Sequence, residues 1–222
     1  MITVRASTLE SFRLYMDPDC DFISADEIEE RIRRGQDNGE SPSEAASLGT
    51  DFHAAVAGEY FGPRRFDYET IVEARAGLDG SLSEVPGSVV LDVDGTKVRV
   101  TGHADWLLGL DVLDLKTSSK PIAPDKHAES MQWRCYVLIF DVERVTYRQV
   151  HLDESKEGEV FAKSIEDVVM FPYPKLREDV VTCIRSLLDF ARLRGCIDAM
   201  DVPDDIVEQN TKPAADYSCV NF

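Results

Sequence analysis

The chain has no apolar run long enough to cross a membrane. Tyr136 to Phe140, the longest wholly apolar run near the middle of the 222 residues, falls far short of the roughly 18 residues a span needs. Met1 to Tyr15 has neither a continuous apolar core nor a small-residue cleavage site, so no signal peptide is legible and the cytoplasm is the expected compartment. Cysteine is sparse and odd in number. Cys20, Cys135, Cys183, Cys196 and Cys219 include no C-x-x-C pair, which disfavours a disulfide framework or a closed zinc site. There is no G-x-x-x-x-G-K-[ST] loop, and so no built-in motor. Positive charge is also short: 24 Lys+Arg face 42 Asp+Glu, leaving −18. Such a field repels polyanions unless a local basic surface overrides it. What remains is ordinary globular composition, with 43% hydrophobic and 30% charged residues. At this size a core forms without staples. Residues 1–197 are expected to form one domain, and 198–222 a loosely held tail with six acids against Lys212.

Periodicity outlines the elements. Leu9, Phe12 and Tyr15 or Met16 predict a short helix over 7–16, opened by Ser7 and Glu10 as a capping box. Seven acids between Asp17 and Glu30, followed by Arg31, Arg33 and Arg34, predict a charged helix running into a loop at Gly35, Gly39 and Pro42. Leu48, Phe52, Ala55, Val56 and Tyr60 mark an amphipathic helix that carries His53. The stretches 68–75, 88–93, 97–104 and 106–116 read as successive strands of a meander. A helix over 125–140, a strand over 144–152 and a helix ending at Gly195 follow.

The chemistry concentrates between Gly102 and Thr117. Two apolar runs flank Gly109, and a two-residue turn at Gly109 and Leu110, glycine first, sets Asp105 directly across from Asp114. Strand alternation then puts Asp105, Asp114 and Lys116 on one face, while Leu113 and Leu115 point into a core. Buried charges of this kind are costly unless compensated, and a divalent cation compensates them. A hard cation that meets two carboxylates and a substrate phosphate, beside an ammonium that orients water, is suited to phosphodiester hydrolysis. The acid-x-Lys triplet alone carries nothing, since roughly 1.5 copies are expected by chance in this composition. A second copy, Glu154-x-Lys156, sits in a polar stretch with no partner strand bearing an acid.

The surrounding residues make the trio specific. His53 in GTDFHAAV, Glu73 in TIVEARAGL, Asp105 in GHADW, Asp114 and Lys116 in VLDLKTS, and Gln132 with Tyr136 in QWRCY follow one another in order. In this the chain resembles the PD-(D/E)XK nuclease superfamily, in its RecB-like and phage-type exonuclease branch, over residues 7 to 152. The resemblance implies an α/β, restriction-endonuclease-like fold, a mixed central β-sheet flanked by helices. It implies a Mg²⁺ or Mn²⁺ site at Asp105, Asp114 and the Leu115 carbonyl, with His53 as a further ligand and Lys116 at the attacking water. Gln132 and Tyr136 would order the lysine or the DNA backbone, and Glu73 would support the site. Some members of that branch hold an iron–sulfur cluster on four cysteines. Cys183, Cys196 and Cys219 are too widely spread for that, so no cluster is expected.

Each residue also has a plainer reading. His53 on an amphipathic helix can be a hydrogen-bonded structural histidine, and His103 reads as structural. Gln132 and Tyr136 can be a helix surface pair, and Glu73 an ordinary strand-edge acid. Arg185, Arg192 and Arg194 suit a solvated helix face. Arg64 and Arg65, with the cluster at Arg31, Arg33 and Arg34, are better sources of local positive potential. The tail, which closes on Tyr217, Val220 and Phe222, can be a docking peptide or a frayed end. The leading expectation is a metal-dependent DNA exonuclease of recombination or repair. It would act on DNA ends or single strands, as a homo-oligomer or with a recombination or single-strand-binding partner. A silent nuclease-fold binding module and a small phosphoester hydrolase are the alternatives.

Overall fold

The computed structural model describes residues 1–34, 43–120 and 125–202. The loop around Gly35, Gly39 and Pro42 and the tail residues 203–222 lie outside them. The elements run β1 (Ile2–Arg5), α1 (Ala6–Met16), α2 (Ala25–Arg34), α3 (Glu44–Ala57), β2 (Arg65–Phe66), α4 (Tyr68–Ala74), β3 (Leu82–Val93), β4 (Thr96–Leu108), β5 (Asp111–Ser118), α5 (Asp125–Ala128), α6 (Met131–Phe140), β6 (Arg144–Glu154), β7 (Glu159–Met170) and α7 (Leu176–Leu193). A short 3₁₀ turn, Ile197–Met200, follows.

Seven strands form one mixed sheet in the order β1-β4-β5-β6-β7-β2, with β3 on β4. The β1/β4, β5/β6 and β2/β7 pairs are parallel, and β3/β4, β4/β5 and β6/β7 antiparallel. Helices cover both faces. The larger core joins α1, α2, α6 and α7 to one face through Leu9, Phe12, Ile28, Tyr136, Ile184 and Leu187. The smaller core joins α3 to the other through Phe52, Val56, Trp106, Leu115, Val150 and Leu152. The expected mixed α/β sheet with flanking helices is therefore present, and no helix among the described residues is long and apolar enough to cross a membrane.

Several local expectations are corrected. Residues 68–75 are α4 rather than a strand, because the Asp67 side chain accepts from the Thr70 backbone N–H at 2.8 Å and caps the turn. The Ser7/Glu10 capping box does not form, because α1 begins at Ala6. Glu10 is instead drawn to Arg13, 2.9 Å away, and accepts from the Met131 N–H at the start of α6. The span 125–140 is two helices, divided where Ser130 caps α6. Strands β1 and β7 were not anticipated by the periodicity.

Candidate active site

A fork in the sheet creates the site. Along one edge of β4, β1 pairs up to Thr101 and β5 pairs from Trp106 onward. Gly102 to Asp105 have no strand partner on that edge. A cavity of about 910 Å³ opens there, with Arg5, His53, His103, Asp105, Asp114 and Lys116 on its walls. A second cavity of about 550 Å³ adjoins it, lined by Gly49, Glu84 and Thr117. His53 borders both.

The predicted hairpin register is the observed one. Gly109 has φ 59°, and Leu108 pairs with Asp111, Leu107 with Val112 and Trp106 with Leu113. Only glycine takes that first turn position at no steric cost. Continued one step past the last pairs, this register leads Asp105 to Asp114, and Asp105 Oδ2 accepts the Leu115 N–H at 2.7 Å. Burial, then the charge of Asp114, pushes the Asp105 carboxyl up to about 8. Asp114 is 2% exposed. Its Oδ1 forms an ion pair with Lys116 Nζ at 2.5 Å and accepts no well-aligned hydrogen bond.

From the larger core, α6 braces the lysine. Ser130 caps its first turn by accepting from the Gln132 N–H at 3.2 Å. Gln132 Oε1 accepts from Lys116 Nζ at 2.9 Å, while its Nε2 donates to Asp114 Oδ2 at 3.3 Å and to Tyr136 Oη at 2.8 Å. Tyr136 Oη donates in turn to the His103 carbonyl at 2.6 Å, on the unpaired stretch of β4. Helix and sheet come this close because of Gly102, where an added Cβ would meet Ile139 Cδ1 at 2.9 Å and Tyr136 Cε1 at 3.0 Å. Buried beside Asp114 and Asp105, the Tyr136 hydroxyl is held well above its ordinary value and stays a donor.

From the smaller core, α3 delivers His53. Ser43 caps that helix, and Phe52 and Val56 anchor it to the sheet. His53 Nε2 lies 2.9 Å from the Leu115 carbonyl, its Nδ1 lies 3.5 Å from Asp105 Oδ2, and its ring stacks at 6.1 Å on Trp106. Burial lowers the His53 pKa, so the ring is neutral at pH 7. The carbonyl can only accept, so Nε2 carries the proton and the Nδ1 lone pair faces the Asp105 carboxyl. A proton or a cation between the two relieves that opposition.

Glu73 does not reach the fork. It is exposed on α4 and lines neither cavity. Glu84, which sequence reasoning passed over, is an acid on β3 that borders the smaller cavity. The β3/β4 register places it opposite Asp105, between the pairs Ser83–Trp106 and Val85–Ala104. Its φ of 51° is left-handed, an uncommon conformation for a residue with a side chain. Its Oε2 lies 3.4 Å from His103 Nδ1, and that contact lowers the Glu84 pKa. The signal available in the sequence was an acid in the strand-like stretch just before Pro86.

Asp105, Asp114, Leu115, Lys116, Gln132, Tyr136 and His53 are thus brought together. Among the described residues there is no cluster of three or more His, Cys, Asp or Glu side chains placed to hold a metal. A hard divalent cation does not require one, since it is commonly held by one or two carboxylates, with water and substrate oxygens completing the shell. A half-buried and a buried carboxyl set against each other, an Asp114 Oδ1 met only by the Lys116 ammonium and an adjacent backbone carbonyl fit such an ion.

The mixed seven-strand sheet flanked by helices is an α/β fold resembling exonuclease structures. No protein-family model matches the chain, and no curated protein is significantly similar to it in sequence. Solved structures do resemble it. A phage-related exonuclease from Haemophilus somnus 129PT shares 14% identity at a TM-score of 0.51, over 87% of this chain and 96% of that one. The alkaline exonuclease LHK-Exo from Laribacter hongkongensis shares 13% at 0.51, over 88% and 90%. A protein named SSO0001 shares 14% at 0.53, over 90% and 85%. At these identities the likeness is one of fold.

Proposed function

We propose that this protein is a Mg²⁺- or Mn²⁺-dependent deoxyribonuclease that degrades DNA from its ends, as an exonuclease of recombination or repair. The observation that carries this reading is the convergence of Asp105, Asp114 and Lys116 at the fork, with Gln132 fixing the ammonium. The exonuclease-like fold supports it.

In this reading Asp105, Asp114 and the Leu115 carbonyl hold the cation, with His53 Nδ1 as the further ligand. When bound, the cation lowers the pKa of a coordinated water and offsets charge on the phosphate. Lys116 Nζ orients the attacking water by hydrogen bonding. Gln132 holds that ammonium and, through Tyr136, ties it to the backbone of β4. Arg5 and His103, on the cavity wall, meet the phosphate backbone. Glu84 keeps His103 in place. The acidity of the chain is thereby reconciled with a polyanionic substrate, because a bound cation inverts the local field. Capture of DNA is weak and falls steeply with salt, and is strengthened by a homo-oligomer or a recombination or single-strand-binding partner.

The test is incubation of the protein with linear, circular and single-stranded DNA in Mg²⁺ or Mn²⁺, alongside Lys116→Ala. Loss of linear but not circular DNA, abolished in the variant, is expected. Equal degradation by both proteins refutes the site, and an inert wild type refutes the activity.

A further inference from the structure

Gln149 lies on β6, where the parallel register sets it beside Lys116 on the same face as Asp114 and Tyr147. It is 5% exposed. Its buried Nε2 has no hydrogen-bond partner, and its Oε1 accepts no hydrogen bond among the described residues. A buried amide left unpaired is destabilising, and departures of this kind from full pairing are expected at functional or strained sites.

Lys116 supplies that arrangement. Its ammonium, with three donors, is ion-paired to Asp114 Oδ1 at 2.5 Å and donates to Gln132 Oε1 at 2.9 Å. Nζ already leans over β6, 5.3 Å from the ring centroid of Tyr147, two residues before Gln149 on the same face. If Asp114 is to hold a cation, as the nuclease reading requires, its contact with the ammonium must loosen and Lys116 needs another acceptor. The Gln149 amide oxygen is an unspent one on the strand over which the lysine leans. We propose that Gln149 is a positioning residue for Lys116, receiving the ammonium when Asp114 is engaged and holding it toward the attacking water. This rests on the nuclease reading of the site.

The test is Gln149→Met, close to glutamine in length and lacking the amide, with Gln149→Glu as the variant that keeps an acceptor. Removing an unpaired buried amide is expected to raise Tm by a few degrees. Loss of the lysine's seat is expected to lower kcat about tenfold or more at unchanged KM, with partial recovery in Gln149→Glu. In ¹³C-methylated protein the Lys116 resonance is expected to shift on Mg²⁺ addition in the wild type and to shift less in Gln149→Met. A fall in Tm, a kcat equal to wild type, or identical Lys116 shifts in the two proteins overturns the proposal. A wild type that cleaves nothing refutes the nuclease reading, and the lysine resonance still decides whether Gln149 contacts Lys116.

Discussion

In the absence of metal, the Asp105 carboxyl makes stability fall as pH rises. Its folded-state value is pushed up to about 8, by burial first and by Asp114 next, from an ordinary aspartate value of 3.8. Between those limits the folded protein keeps a proton that the unfolded chain has released, so deprotonation favours unfolding. The penalty is absent below about pH 4 and complete above about pH 8. Its ceiling is about 1.4 kcal/mol per pH unit within that window. Relaxation and water entry reduce it, and half the ceiling, about 3 kcal/mol over the window, corresponds to roughly 6–12 °C in Tm for a chain of this size. Asp105→Asn is nearly isosteric, still offers an oxygen to the Leu115 N–H, and cannot ionise. Calorimetric melting in EDTA at fixed ionic strength is therefore expected to give matching Tm values near pH 4 and a widening advantage for the variant up to pH 8. Mg²⁺ should raise the wild type selectively at the alkaline end. A constant Tm difference across the range, or an advantage that grows toward acid, refutes the electrostatic account of the fork.

Two further substitutions probe the scaffold. Arg148 is buried, pairs with Asp167 at 2.8 and 2.7 Å and donates to the Ala74 and Ala76 carbonyls at the end of α4. Arg148→Met is expected to lower stability by about 3 kcal/mol, read as a denaturant midpoint shift. Gly102→Ala sets a methyl against Ile139 and Tyr136 and pushes α6 off the sheet. It is expected to cost about 1–3 kcal/mol and to reduce cleavage in step with the displaced Gln132, whereas Gly109→Ala, with nothing within 4 Å, is expected to strain only the turn.

The hairpin of the candidate site was legible because its information is local. The Gly109 turn fixes the register, and the register fixes which of Asp105, Asp114 and Lys116 share the fork. Gln132 and Tyr136 were legible for the same reason, one helical turn apart on α6. Glu84 was not, because only a long-range pairing of β3 with β4, with a left-handed backbone at residue 84, sets it opposite Asp105. Pro86 also weakens the strand signal around it. The β-branched residues of 68–75 suggested a strand, but a capping aspartate and the packing of Ala74 outweigh that propensity. The four residues of β1 are too short to show a period, and β7 carries charged and exposed residues through much of its length, so neither strand announces itself.

The central claim is tested most directly by release of nucleotides from an end-labelled linear duplex in Mg²⁺, comparing wild type with Asp114→Asn at matched folded fraction. Nucleotide release by the wild type that stops in EDTA and falls about a thousandfold in the variant is predicted. A variant as active as wild type, or a wild type inert with both Mg²⁺ and Mn²⁺, contradicts it.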